Sequence, residues 1–232
     1  LGSEKANSRA QHHLVIGQRG MGKTMLLSRI SAELSSNPDF KERFIPLTFA
    51  EEQYSVDRLS KFWLNCLDSL ADALELANNQ DAVDGIDDIV QKLTQAPPTS
   101  VKDDNLFAEE VYDAFSNAIK TIGRRPVLLV DNLQIVFERL GKSQQHALRE
   151  LLMRPGAPVF IGASPSPPPQ TNDYQAAFYD QFKTHYLHPL GESEMRELLF
   201  HLAEVAGRDD VRQRVAQHPE RLKVLRQLTG GN

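Results

Sequence analysis

The chain has 232 residues, 41% of them hydrophobic, a length that supports one sizeable core with room for a small second lobe. A net charge of -5 and a pI near 5.8 argue against a nucleic-acid platform spread over the surface, though not against a local basic patch. The single cysteine excludes an internal disulfide, no stretch reaches the roughly 18 apolar residues of a membrane helix, and no secretory pattern opens the chain; a cytoplasmic location fits.

Leu1-Gly2-Ser3 reads as a tag remnant, and residues 1–11 are expected to be only a lead-in. Leu14-Val15-Ile16 is a short buried strand, and Gly17-Gln18-Arg19-Gly20-Met21-Gly22-Lys23-Thr24 follows it directly. From Met25 a helix keeps Leu26, Leu27, Ile30 and Leu34 in step until Asn37-Pro38. Residues 44–49 form a second strand, which Pro46 assigns to a sheet edge. Val56, Leu59, Trp63, Cys66, Leu67, Leu70 and Leu74 mark a long amphipathic helix, read as core with a partner surface as the alternative. Cys66 falls on that stripe and is expected to be a buried structural thiol.

Residues 78–105, with Asp81, Asp84, Asp87, Asp88 and then Pro97-Pro98, suggest a solvated, flexible insertion. A core-facing helix over 106–122 ends at Gly123 and leads to Val127-Leu128-Leu129-Val130-Asp131, an all-apolar strand closed by an acid. A helix over 133–153, a strand over 158–164, a proline-rich loop over 165–173, a short helix over 174–182 and a strand over 184–187 complete the alternation. Two further helices, over 192–206 and from Pro219 to Gly230, make a helical tail. The sequence predicts an α/β fold with a doubly wound, parallel, five-stranded sheet over residues 12–190 and a small helical lobe over 191–232, truncated at its end.

The chemistry concentrates at residues 17–24, which fill every fixed position of G-x-x-x-x-G-K-[ST]. Glycines let backbone N–H groups curl around a phosphate, and the helix that follows adds positive partial charge at its N-terminus. Gly17 to Met25 are therefore the expected nucleotide contacts, with Lys23 reaching the β/γ-phosphates and Thr24 offering its hydroxyl to Mg²⁺. Asp131, at the carboxyl end of a central strand, is the second expected Mg²⁺ residue. ATP and Mg²⁺ are the cofactors these residues call for.

The loop at 17–24, the strand ending in Asp131, the Ile161-Gly162-Ala163-Ser164 strand end and the Leu187-His188-Pro189-Leu190 turn resemble the AAA+/STAND side of the P-loop ATPases. The resemblance runs from about Leu14 to Asn232, and only the P-loop is specific alone. It implies a sensor-1 role for Ser164 near the γ-phosphate, a helical lid, and further domains beyond a fragment whose Thr229-Gly230-Gly231-Asn232 end resembles the start of a STAND Gly-x-Pro motif, stopping where the proline would come. It also exposes two departures. Many of these ATPases carry Asp-Glu where this chain has Asp131-Asn132, and asparagine cannot take a proton from water. Gln134, Glu51 and Glu52 are the candidate replacements, with Glu138 further off. The family also often has an arginine before the Phe that leads into the fifth strand, and here that residue is Gln181.

Other residues carry weaker signals. His12-His13 and His185/His188 are read as strand residues whose side chains diverge, and Arg19 either approaches the nucleotide or is solvated. Three readings follow. The first is a nucleotide-controlled STAND-type switch with slow hydrolysis, signalling to other domains of a bacterial or archaeal-like protein. The second is an oligomeric ATPase of origin-recognition or transposition type acting on DNA. The third is a non-hydrolysing interaction module. A homo-oligomer is compatible with each, and nucleic acid is not indicated by the charge balance.

Overall fold

The computed structural model describes residues 10–49, 56–95 and 100–230. Five strands, β1 (His12–Ile16), β2 (Phe44–Phe49), β3 (Arg125–Val130), β4 (Val159–Ser164) and β5 (Phe182–Tyr186), form one sheet in the order β2-β3-β4-β1-β5. Every pairing is parallel, with Leu14 opposite Gly162, Val130 opposite Gly162 and Ile16 opposite both Ser164 and Tyr186. The Pro46 strand lies at an edge, as its missing N–H requires.

Apolar side chains leave the sheet on both faces. Leu14, Ile16, Leu47, Leu128, Val130 and Phe160 point into the larger core, while Val15, Leu129, Ile161 and Ala163 point into the smaller one. The smaller core is covered by α1 (Lys23–Ser36), through Leu27 and Leu34, and α2 (Pro38–Lys41) lies beside it. Asn37 caps α2 by accepting from the Asp39 N–H, so the Asn-Pro pair both ends one helix and starts another. The larger core holds α3 (Leu59–Glu75), whose Leu59, Phe62, Trp63, Cys66, Leu67, Leu70 and Leu74 are wholly enclosed. That stripe is therefore core, and Phe62 stacks between Phe49 and Phe160.

The insertion expected over 78–105 takes a different form. Residues 80–94 are a helix, α4 (Gln80–Thr94), capped by Asn79 and packed on α3. Val83 and Ile86 are buried, Val90 and Leu93 pack against the same core, and the aspartates occupy the outer face. The aspartates hide a helical period of four apolar residues, and Gly85 costs about 1 kcal/mol relative to Ala without breaking it. Pro97 and Pro98 lie outside the described residues. Helix α5 (Val101–Ile122) begins earlier than its apolar pattern suggests, because Ser100 caps it through the Asp103 N–H.

The helix expected over 133–153 is two, α6 (Leu133–Arg139) and α7 (Lys142–Leu152), separated at Leu140-Gly141. Four residues of the proline-rich loop wind into α8 (Pro169–Asn172), while 174–181 form turns rather than the expected helix. Phe178 is buried there, stacked 4.3 Å from Phe137. The lobe contains α9 (Glu192–Val205), α11 (Glu220–Thr229) and one helix more than expected, α10 (Asp209–Gln217), whose nine residues offer only Val211 and Val215 as large apolar signals. Its buried apolar residues among those described are Met195, Ala203 and Leu222, so its own core is thin.

Candidate functional site

The P-loop leaves β1 at the carboxyl rim of the sheet, between β4 and β5. Gly20 and Gly22 have φ of +90° and +80°, a region only glycine enters freely, and a Cβ at either would meet nothing within 4 Å. Backbone conformation, not space, demands glycine there. Gly17 is needed for the opposite reason, since its Cβ would come 3.0 Å from Leu187 Cβ. Leu187 is held in place by donating its N–H to the Ile16 carbonyl at 2.7 Å, and Gly17 donates to the Ser164 carbonyl at 3.2 Å. The loop is thereby clamped between the ends of β4 and β5.

Lys23 is buried at the head of α1, and its ammonium donates to the Gly17 carbonyl at 2.7 Å and the Gln18 carbonyl at 2.9 Å. An ammonium has three N–H donors, so one is left beyond these two. Gln18, Arg19 and Met25 are exposed around it, Met25 to 72%, while Met21 accepts the Gln18 N–H on its sulfur.

Asp131 follows β3, one strand beyond β4, and faces the loop from that side. Thr24 Oγ1 donates a short hydrogen bond to Asp131 Oδ2, and Asp131 Oδ1 accepts the Asn132 N–H at 2.8 Å. The hydroxyl and the carboxylate expected to share Mg²⁺ are thus in contact, on a loop with a buried cation and two left-handed glycines. This donor set of hard oxygens beside an ammonium suits a magnesium–phosphate group.

Asn132 adopts the left-handed region, φ 50° and ψ 42°, at the N-cap of α6. Gln134 lies in the first turn of that helix, with its carbonyl Oε1 buried and unpartnered. Ser164 is buried, and its hydroxyl donates to the Ser166 carbonyl at 2.6 Å. Glu51 and Glu52 lie outside the described residues. Gln181 is half-buried, with its Oε1 enclosed and unpartnered. The structure therefore brings residues 17–25, Asp131 and Ser164 to one rim, and sets Gln134 one residue past Asn132–Leu133.

His12, His13 and His185 sit in strands, His188 follows β5, and the side chains of His12 and His13 diverge as expected. His12 is buried and accepts the Phe160 N–H on Nδ1 at 3.1 Å; burial pushes its pKa down to about 4, a carbonyl bond to Leu152 opposing. His13 Nδ1 lies 3.0 Å from His185 Nε2 across β1 and β5. Cys66 is enclosed, and its thiol pKa is pushed up by burial. Among the described residues, no group of three or more His, Cys, Asp or Glu could hold a metal ion, and no helix is long and apolar enough to cross a membrane.

Sequence reasoning missed two positioning contacts, Leu187 against Gly17 and Leu133 against Gly162. A glycine inside the otherwise apolar β4 was the available signal, since such a glycine marks close approach.

The strand order, with the glycine loop after β1 and an acid after β3, defines the P-loop NTPase fold. Residues 3–161 match the AAA ATPase domain family, and the chain belongs to that family. Among solved structures it is similar to the Aeropyrum pernix ORC2 protein in its ADPNP-ADP complexes, at 13% identity and a TM-score of 0.56 over 84% of this chain and 46% of that one. It is also similar to the Aeropyrum pernix ORC1 protein in complex with DNA, at 12% identity and a TM-score of 0.52 over 85% and 44%. At these identities the likeness is one of fold, and the chain spans less than half the length of either protein. None of the curated proteins matches it.

Proposed function

We propose that this chain is the ATP-binding module of a nucleotide-controlled switch of STAND type, which binds Mg²⁺·ATP at residues 17–25 with Asp131 and turns it over slowly. The observation that carries the reading is the Thr24–Asp131 hydrogen bond, which joins the two oxygen donors from residues 107 apart in sequence. The ion, when bound, neutralises charge on the phosphoryl oxygens. Lys23 holds the phosphates from inside the loop, and the glycine N–H groups orient them.

Slow turnover follows from what stands around these groups. Asn132 offers no carboxylate to accept the proton of an attacking water. Gln134 has its carbonyl enclosed and would have to turn it outward to orient a water, and an amide cannot take the proton. Gln181 supplies no charge where a finger would act, and charge of that kind contributes on the order of 10³–10⁵ in rate. The switch reading is supported by the lobe. Its helices are thinly packed, and Arg226 Nε donates to the Leu190 carbonyl at 3.1 Å, in the turn that joins lobe to sheet. A nucleotide held between them would bias how the lobe sits, and other domains of the protein would receive that signal.

A second reading is an oligomeric ATPase acting on DNA, favoured by the fold shared with a protein captured on DNA. One experiment separates the readings: calorimetric ATP binding with and without Mg²⁺ for the wild type, Lys23→Ala and Asp131→Asn, followed by phosphate release with and without duplex DNA. The switch predicts binding that weakens by about 10–100-fold in Lys23→Ala, the loss of charge-assisted bonds. It also predicts loss of the Mg²⁺ effect in Asp131→Asn, and slow release that DNA does not change. DNA-stimulated release with ring formation would favour the second reading, and tight binding with no release would favour the non-hydrolysing module. Equal binding by Lys23→Ala would overturn all three.

A further inference from the structure

The sheet has a second rim, where the strands begin, and it carries a cavity of about 430 Å³. Residues at the starts of β2 and β3 line it, with the last turns of α5 and the Pro155–Pro158 segment before β4. Its inner wall is apolar and aromatic: Tyr112 and Phe115 are buried on α5, Phe44 is buried on β2, and Ile119 continues the stripe. Its volume falls within the range that holds a small organic ligand.

The rim is cationic. Arg43, Lys120, Arg124 and Arg125 line the cavity together with a single carboxylate, Glu42, which pairs with Lys41 instead at 4.0 Å. Among the described residues, Arg43, Lys120 and Arg124 make no ion pair. The Arg43 guanidinium lies over the Phe44 ring at 5.3 Å, Lys120 donates to Asn117 Oδ1 at 3.3 Å, and Arg124 reaches only the Lys41 carbonyl at 3.5 Å. Arg125 donates through Nε and Nη2 to the Ala157 carbonyl, which fixes the floor. Two of these cations, Lys120 and Arg124, flank the C-terminus of α5, where the helix dipole favours positive charge. The dipole does not account for Arg43 on another element, nor for the apolar hollow the three cations share. In a chain of net charge -5 this is a local reversal of sign around a concave apolar surface.

We propose that this cavity is a second ligand site, for a small amphipathic anion with a flat apolar body and one carboxylate, sulfonate or phosphate head. The body lies against Ile119 and Pro155, backed by the enclosed Tyr112 and Phe115, and the head meets Arg124, Lys120 and Arg43. The site is separate from the nucleotide. β3 runs from Arg125 at the cavity to Val130, next to Asp131, so roughly 20 Å of strand lies between them. The ligand would be an effector of the module rather than a substrate of the P-loop.

The probe is 1-naphthalenesulfonate, titrated calorimetrically into the full chain, with sodium sulfate and neutral 1-naphthalenemethanol as the head-only and body-only controls. Expected is one saturable site, with both controls about tenfold weaker or more, since each lacks half of the recognition. The double variant K120Q/R124Q should lose about tenfold, and Ser116→Trp, which fills the cavity, should abolish binding, while Lys23→Ala should bind the probe as the wild type does. Thermal melts of the variants confirm that each is folded. Unsaturable binding overturns the proposal, as does binding that survives in both the charge-removed and the filled variants, or binding lost in Lys23→Ala.

Discussion

Gly162 and Leu133 meet at the point where β4 passes under α6, and there is no room between them for a methyl group. A Cβ on Gly162 would collide with Leu133 Cδ2 and lie 3.2 Å from Leu133 Cβ. Gly162 is on the strand between β1 and β3, opposite Leu14 on one side and Val130 on the other. Leu133 is two residues after Asp131, so this contact sets how closely the Asp131–Asn132 turn approaches the P-loop. Gly162→Ala should destabilise the protein by about 1–3 kcal/mol, the usual cost of overpacking. It should also weaken Mg²⁺-dependent ATP binding more than Mg²⁺-free binding, because Asp131 moves and Lys23 does not. Thermal melts and calorimetry check both, and adding Leu133→Ala to the Gly162→Ala variant should recover part of the loss as a positive coupling.

Asp104 is fully buried and accepts from three donors: Ser60 Oγ, Ser60 N–H and Gln144 Nε2. It ties the first turn of α3 to α5 and α7, beneath the larger core. Asp104→Ala leaves those three donors enclosed without an acceptor, and should cost roughly 3–5 kcal/mol at about 1–3 kcal/mol for each buried donor left unpaired. Urea denaturation should show the midpoint fall. Ser60→Ala should lose less, since Gln144 and the backbone N–H keep their acceptor.

His12 makes the fold sensitive to acid. Its pKa is about 4 in the folded chain against an ordinary 6.5, chiefly because burial disfavours the charged ring. The unfolded chain therefore binds a proton between these values that the folded chain does not. Stability from this residue is complete above pH 6.5, declines as the pH falls, and is gone below about pH 4, a loss of about 3 kcal/mol. His12→Gln keeps an acceptor for the Phe160 N–H and removes the titration. Urea midpoints measured between pH 7 and pH 4 should fall more steeply in the wild type than in this variant.

How much of this could be read from the chain depended on whether the signal was local. The P-loop, the apolar strand before Asp131 and the edge position of the Pro46 strand were readable because each rests on a few consecutive residues with one physical meaning. Helix α4 was not, because its aspartates dominated the composition while Val83, Ile86, Val90 and Leu93 carried the period. Asp104 falls in that same soft segment, and only its contacts with Ser60 and Gln144, 44 and 40 residues away, give it a role. The cationic cavity was equally hidden. Lys120 and Arg124 close α5 while Arg43 precedes β2 some 77 residues earlier, and sequence spacing says nothing of their meeting.

Asn132 offers the sharpest test of why turnover should be slow. Its φ of 50° lies in the left-handed region, which asparagine tolerates better than most side chains. The same residue therefore satisfies the turn and withholds a base. Asn132→Glu would place a carboxylate directly after Asp131, as in many related ATPases, at a backbone cost of roughly 1 kcal/mol. If the missing base limits hydrolysis, this variant should bind ATP about as the wild type does yet release phosphate at least about tenfold faster, within the 10²–10⁴-fold that general-base catalysis can supply. Asn132→Gly, which suits the backbone and adds no base, should leave the rate unchanged. Equal rates in all three proteins would mean that the water is positioned by another group, and Gln134→Ala would then be the variant that slows release.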